Sequence, residues 1–94
     1  MEKAVPKTKN EAFAQLDVML SEDDKKALAT GDAIEFHFTL GMWIRNNWIY
    51  EQDEEAVNRL AKAFRTDMVF FEADTLSSKI IEYYQRYLKR NSYG

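Results

Sequence analysis

The segment Ala33–Ile49 reads AIEFHFTLGMWIRNNWI. Placed on a helix at about 100° per residue, its apolar side chains cover most of the circumference. Only Glu35, Thr39 and Asn46 gather into a narrow polar stripe. A helix apolar nearly all round is buried on several sides. The segment falls short of the roughly 20 residues that a membrane span needs, so the burial must come from the rest of the chain. The expected fold is therefore all-α: a compact bundle of about four to five helices around a buried central helix at about 33–49.

The remaining sequence supplies those helices. With three glycines and one proline in 94 residues, few positions ask for tight turns, which argues against a many-stranded sheet protein. Thr8 followed by Glu11 fits a capping box, opening a helix over about 9–20 with Ala12, Phe13, Leu16, Met19 and Leu20 on one face. Ser21 is a good N-cap for a short helix at 22–29, and Glu22, Asp23 and Asp24 lie at the positive end of its dipole. Gly31 is a natural stop. Asp32 and Glu35 repeat the cap signature before the central helix, and Asp53 is placed to cap a helix at 54–65. There Ala56, Val57, Leu60, Ala61, Ala63 and Phe64 oppose Glu54, Glu55, Asn58, Arg59, Lys62 and Arg65. Asp74 or Thr75 opens the last helix, to about Arg90. Its apolar arc is Leu76, Ile80, Ile81, Tyr83, Tyr84, Tyr87 and Leu88, and its wet arc is Lys79, Glu82, Gln85, Arg86, Lys89 and Arg90.

Residues 67–73, with the apolar run Met68–Phe71, admit an extended piece, a helical turn or a loop. A lone strand leaves its backbone groups unsatisfied, which favours a buried loop. The domain is expected to cover 9–90, with 1–8 a flexible lead-in and 91–94 a frayed end.

The formal net charge of −3 lacks the positive excess of a domain built to coat nucleic acid. The absence of cysteine removes disulfides, zinc–thiolate sites and cysteine nucleophiles. It also leans towards a reducing compartment. The residues from Met1 to Lys9 carry no apolar h-region, and no apolar run is long enough for a span. The expectation is a soluble, cytoplasmic chain with no membrane association.

Inside the apolar arc of the central helix stand His37, Arg45 and Asn47. Burying any of them unpaired costs roughly 1–3 kcal/mol or more, most for the arginine. Two readings follow. In the first, the three form a structural network, with Arg45 pairing a carboxylate from another helix and His37 and Asn47 meeting backbone carbonyls. In the second, His37, Arg45 and Asn47 join Trp43 and Trp48 in a pocket or partner-binding surface, as tryptophan and arginine are enriched at binding hot spots. Gly41 costs about 1 kcal/mol relative to alanine in a helix interior. That cost points to a close approach there, with the small Ser77 of the last helix as the candidate neighbour.

The run Phe36–Trp48 resembles the core motif of a small bacterial domain family of unknown function, whose members show an FHF-x-LGMWIRNNW stretch. Two further elements of that resemblance are Asn58–Phe64 (NRLAKAF) and Asp74–Leu88, where Asp74, Ser77, Ser78 and Ile80 match a D-x-x-SS-x-I pattern and Gln85 stands where the family often has histidine. The likeness covers roughly residues 16–90 and departs after Trp48, where Ile49–Asp53 replaces a glycine-containing turn. It implies a shared fold and brings no established activity with it.

Catalytic chemistry finds no footing. One histidine and no cysteine leave only serine or threonine as a nucleophile, and no glycine-flanked serine elbow is present. The carboxylates at Glu22–Asp24 and Asp53–Glu55 open helices, where acidic side chains are normally solvated. Neither cluster fits a twelve-residue calcium loop, and no glycine loop cradles phosphate. No cofactor, metal or enzyme activity is expected. The leading expectation is a non-catalytic module that binds another protein, as a regulator, inhibitor or immunity-type protein, with self-association open. The alternatives are an accessory nucleic-acid contact through the weakly basic face of Lys79, Arg86, Lys89 and Arg90, or a small-ligand site beside His37 and Arg45.

Overall fold

A computed structural model describes residues 5–31, 34–65 and 73–91, and the side chains at all of these but 34–36. Among the described residues there are five α-helices and no strand: α1 (Lys9–Met19), α2 (Glu22–Thr30), α3 (Ile34–Ile44), α4 (Glu54–Ala63) and α5 (Ala73–Arg90). A π-helical turn, Arg45–Ile49, extends α3. The all-α expectation holds. No helix among the described residues is long and apolar enough to cross a membrane.

The helix ends follow from local chemistry. Thr8 Oγ1 accepts from the Glu11 amide at 3.1 Å, while the Glu11 carboxylate takes the amide of Lys7 instead of that of Thr8. Ser21 and Asp24 close a full capping box at the start of α2. Gly31 ends it with φ of 79°, a left-handed conformation that costs glycine nothing. Asp53 precedes α4 without a side-chain cap bond, so that expected cap is absent. Helix α5 already includes Ala73, so Asp74, expected with Thr75 to open it, lies inside its first turn. The expected cap at Asp32 and the conformation of 66–72 lie outside the described residues.

The core is where the helix patterns put it. Leu16, Leu28, Ile44, Trp48, Leu60, Phe64, Leu76, Ile80, Ile81, Tyr84 and Leu88 are buried. Val5 packs on this core and Pro6 is buried as well.

Helix α3 departs from expectation. It packs against α5 and α2, and Leu40, Gly41 and Ile44 are buried. Its other side faces solvent, leaving Phe38 64% and Met42 48% exposed. The central helix is thus covered on one side and bare on the other. The π turn shows in the Tyr50 amide, which donates to the Arg45 carbonyl at 2.7 Å. Such a turn holds one more residue than an α turn. The Asn47 side chain donates to the Trp43 carbonyl at 2.8 Å beside this change of register. The chain leaves through Glu51, whose φ is 59°. That left-handed conformation costs a non-glycine residue roughly 1–2 kcal/mol. Gln52 Nε2 donates to the Asn47 carbonyl at 3.0 Å and holds the turn.

Candidate functional site

Where the C-terminal end of α2 meets α3 and the first half of α5, the helices leave a cleft of about 690 Å³. Its position follows from the sequence of α3. His37, Gly41 and Arg45 are spaced four apart, so they stack along one face of the helix, and that face forms a wall of the cleft. Helix α5 supplies Asp74, Ser77, Ser78, Ile81 and Gln85, and α2 supplies Ala27 and Leu28. Volumes of 300–1,000 Å³ are typical of sites that hold a small molecule or a few side chains.

Arg45 is the centre of the polar chemistry. Its Nη1 donates to Ser77 Oγ at 3.0 Å and lies 3.2 Å from Asp74 Oδ1. Ser77 Oγ in turn donates to the Asp74 carbonyl at 3.0 Å, so its hydroxyl is spent both ways. The Arg45 side chain is mostly buried, 17% exposed, whereas the Asp74 side chain is 79% exposed. An ion pair of this kind, with one partner in water, is worth at most about 1 kcal/mol. The expectation that Arg45 pairs a carboxylate from another helix is met. That carboxylate is largely in water: Asp74 stands at the cleft's edge, in the first turn of α5.

Gly41 makes the arrangement possible. A Cβ there would come 3.3 Å from Arg45 Nη1, 3.7 Å from Ile81 Cδ1 and 3.9 Å from Ser77 Oγ. The close approach inferred from the glycine is real, and Ser77 and Ile81 of α5 take part in it. Its tightest member is the guanidinium from one turn further along the same helix. Gln85 Nε2 donates to the Leu28 carbonyl at 2.9 Å and ties α5 to the end of α2 behind the cleft.

The five residues expected to work together separate. His37 and Arg45 line the cleft. Trp43 and Trp48 meet edge to face at 5.4 Å between ring centroids, and Trp48 is fully buried. Its indole N–H has no hydrogen-bond partner among the described residues. Asn47 holds the backbone of its own helix. Sequence reasoning missed Asp74, Ser78 and Gln85 as cleft residues. It had placed Asp74 as a helix cap and Gln85 on the wet arc of α5.

A second polar cluster was also missed. Tyr84 and Tyr87 hydroxyls donate to the two oxygens of Asp17 at 2.7 and 2.9 Å, and Lys25 Nζ lies 3.9 Å from the same carboxylate. Tyrosines in an apolar arc whose hydroxyls need acceptors were the available signal. On the basic face of α5, Arg86 pairs with Glu82 at 2.8 Å. Lys9, Lys79 and Arg86 stand 5.3, 6.0 and 5.6 Å from the centroid of the Tyr83 ring. Lys89 and Arg90 are exposed in the last turn.

The fold and the cleft together define a small helical domain with a preformed recess and an arginine at its centre. The chain belongs to the family described as Domain of unknown function (DUF6794), whose profile matches residues 5–88. No curated protein and no solved structure shows a significant match to it.

Proposed function

We propose that this chain is a non-catalytic protein–protein interaction module of bacterial or phage origin, a cytoplasmic regulator, inhibitor or immunity-type protein that docks its partner across the cleft and the exposed face of α3 beside it. One observation carries the reading. Phe38, on the cleft wall, is 64% exposed, and Met42, one turn further along the same helix, is 48% exposed. Two large apolar side chains are thus presented beside a recess that holds an arginine, and phenylalanine, methionine and arginine are all enriched at protein interfaces. The cleft's chemistry supports binding over catalysis, because the Ser77 hydroxyl is committed to Arg45 and to the Asp74 carbonyl.

Site-specific photocrosslinking tests it. A photoreactive phenylalanine analogue at position 38 or 42 should form one adduct in host lysate, absent when the analogue replaces Glu55. Unlabelled wild type should compete the adduct away, and a Phe38→Asp/Met42→Asp double variant should not. Identical adducts from all three positions would sink the reading. An adduct of twice the chain's own mass would make the partner a second copy.

The gathering of Lys9, Lys79 and Arg86 on Tyr83 supports a second reading, an accessory contact with nucleic acid. Should the wild type bind DNA or RNA at about 150 mM salt and a charge reversal of Lys79, Arg86, Lys89 and Arg90 abolish it, this reading displaces the first.

A further inference from the structure

We infer that Arg45 is a carboxylate seat which Asp74 fills from within the chain, and that the docking partner places one of its own carboxylates there. The inference deepens the docking proposal and rests on the cleft being the working surface. It starts from a count of hydrogen-bond donors. A guanidinium carries five N–H groups, and among the described residues its partners are Ser77 Oγ and Asp74 Oδ1, both at Nη1. No described residue accepts a hydrogen bond from Nε or Nη2, and neither nitrogen is sealed from solvent. A cation with donors in hand, on the wall of a recess, is suited to a planar anion that takes two N–H groups at once.

The occupant already in contact is weakly held. Asp74 is 79% exposed, and its carboxylate approaches Arg45 to 3.2 Å at Oδ1. It can return to water at little cost, so an incoming carboxylate exchanges one ion pair for another and does not strand a charge. Ser77 and Gly41 keep the guanidinium in place meanwhile: the hydroxyl accepts from Nη1, and the missing Cβ leaves the space it occupies.

The surroundings select the class of ligand. Arg45 and His37 are the basic side chains on the cleft, so the site suits one negative charge better than a phosphate dianion. Leu28, Phe38 and Ile81 give the rest of the recess an apolar lining. The matching feature is an acidic side chain flanked by apolar ones. Because the exposed apolar surface continues from Phe38 to Met42, the occupant extends past the recess, which favours a segment of a protein over a free acid.

The test uses defined probes on the full chain. Acetyl-Leu-Glu-Leu-amide and its glutamine twin are titrated into isotope-labelled wild type, Asp74→Asn and Arg45→Gln, with amide shifts as the readout. The glutamate peptide should move the amides of Gly41, Ser77 and Ser78. Asp74→Asn should bind it roughly twofold to fivefold more tightly, the gain from removing an exposed competing pair. Arg45→Gln should not bind. Equal shifts from the glutamine twin, or no tightening in Asp74→Asn, would overturn the seat. Asp74→Asn keeps the question answerable should Arg45→Gln fold poorly. If N-acetyl-leucine binds as tightly as the peptide, the seat stands and the occupant is a small carboxylic acid, which overturns the protein clause. Peptide binding without any adduct at positions 38 and 42 defeats the docking proposal alone. Those adducts forming unchanged in Arg45→Gln defeat the seat alone.

Discussion

In the second half of α5, Tyr84 and Tyr87 donate to both oxygens of Asp17 at 2.7 and 2.9 Å. In its first half, Ser77 and Asp74 engage one nitrogen of Arg45 at 3.0 and 3.2 Å. Both places bring a charged side chain from another helix onto the apolar face of α5. At the tyrosine end both carboxylate oxygens have donors, Lys25 stands beside them, and Phe13 stacks on Tyr87 at 4.7 Å. At the serine end the charge is partly answered and a cleft opens next to it. A polar group whose hydrogen-bonding atoms are met by its neighbours contributes to structure. A partly satisfied one facing a recess is available to a ligand. The difference marks the serine end, and not the tyrosine end, as the place to look for function.

The contrast is broken most forcefully by truncation. Leu88→Ala, at the tyrosine end, removes a fully buried side chain and should cost about 2–5 kcal/mol in urea unfolding. Phe38→Ala, at the cleft, should stay within about 0.5 kcal/mol of wild type, since that ring is mostly in solvent. Equal losses would show the two ends to be packed alike.

The polar groups give the next largest effect. Asp17→Ala strips two tyrosine hydroxyls of their acceptor, one of them on the fully buried Tyr84, and should cost about 1–3 kcal/mol. Asp74→Asn should change stability by no more than about 0.5 kcal/mol, because the side chain is 79% exposed. A large loss there would make the serine end structural too.

Arg45→Met sharpens the comparison further. Had its carboxylate partner been buried, this change would cost several kcal/mol. With Asp74 free to hydrate, the expected loss is about 1 kcal/mol, measured by urea unfolding. A loss of 3 kcal/mol or more, on the scale known for broken buried pairs, would show that the pair behaves as a buried one.

The smallest expected effect concerns the backbone after the π turn. Glu51→Gly relieves a left-handed residue with φ of 59° and should leave thermal stability unchanged or raise it by up to about 1 kcal/mol, the strain relieved less the entropy glycine loses on folding. Destabilisation would mean that the Glu51 side chain has a contact worth more than the strain.

Helix positions were legible because the information is local. Caps such as Thr8, Ser21 and Gly31 act within one turn, and apolar spacing in α4 and α5 reports the buried face directly. The crowding at Gly41 was legible for the same reason: a glycine in a helix interior needs compensation, and Ser77 was the small residue opposite. The solvent-facing side of α3 was not legible. Hydropathy shows that Phe38 and Met42 prefer burial, but whether a neighbour arrives to bury them depends on how the other helices are placed. The split of the five candidate residues had the same origin. Spacing put His37 and Arg45 on one face, while the fate of Trp43, Asn47 and Trp48 turned on the π turn and on what packs against it.

By itself, then, the sequence determined the all-α class, the starts of α1, α2 and α4 to the residue, and the buried faces of α4 and α5, because all of these depend on interactions within a few residues of each other. Tertiary structure alone decided that Asp17 meets Tyr84 and Tyr87, 67 and 70 positions away, and that Arg45 meets Ser77, 32 positions away. It also decided that Asp74 leaves its carboxylate in water. A charged residue's sequence neighbours do not say which helix will cross it or how much solvent will remain, and that crossing separates a fully bonded polar cluster from an open cleft.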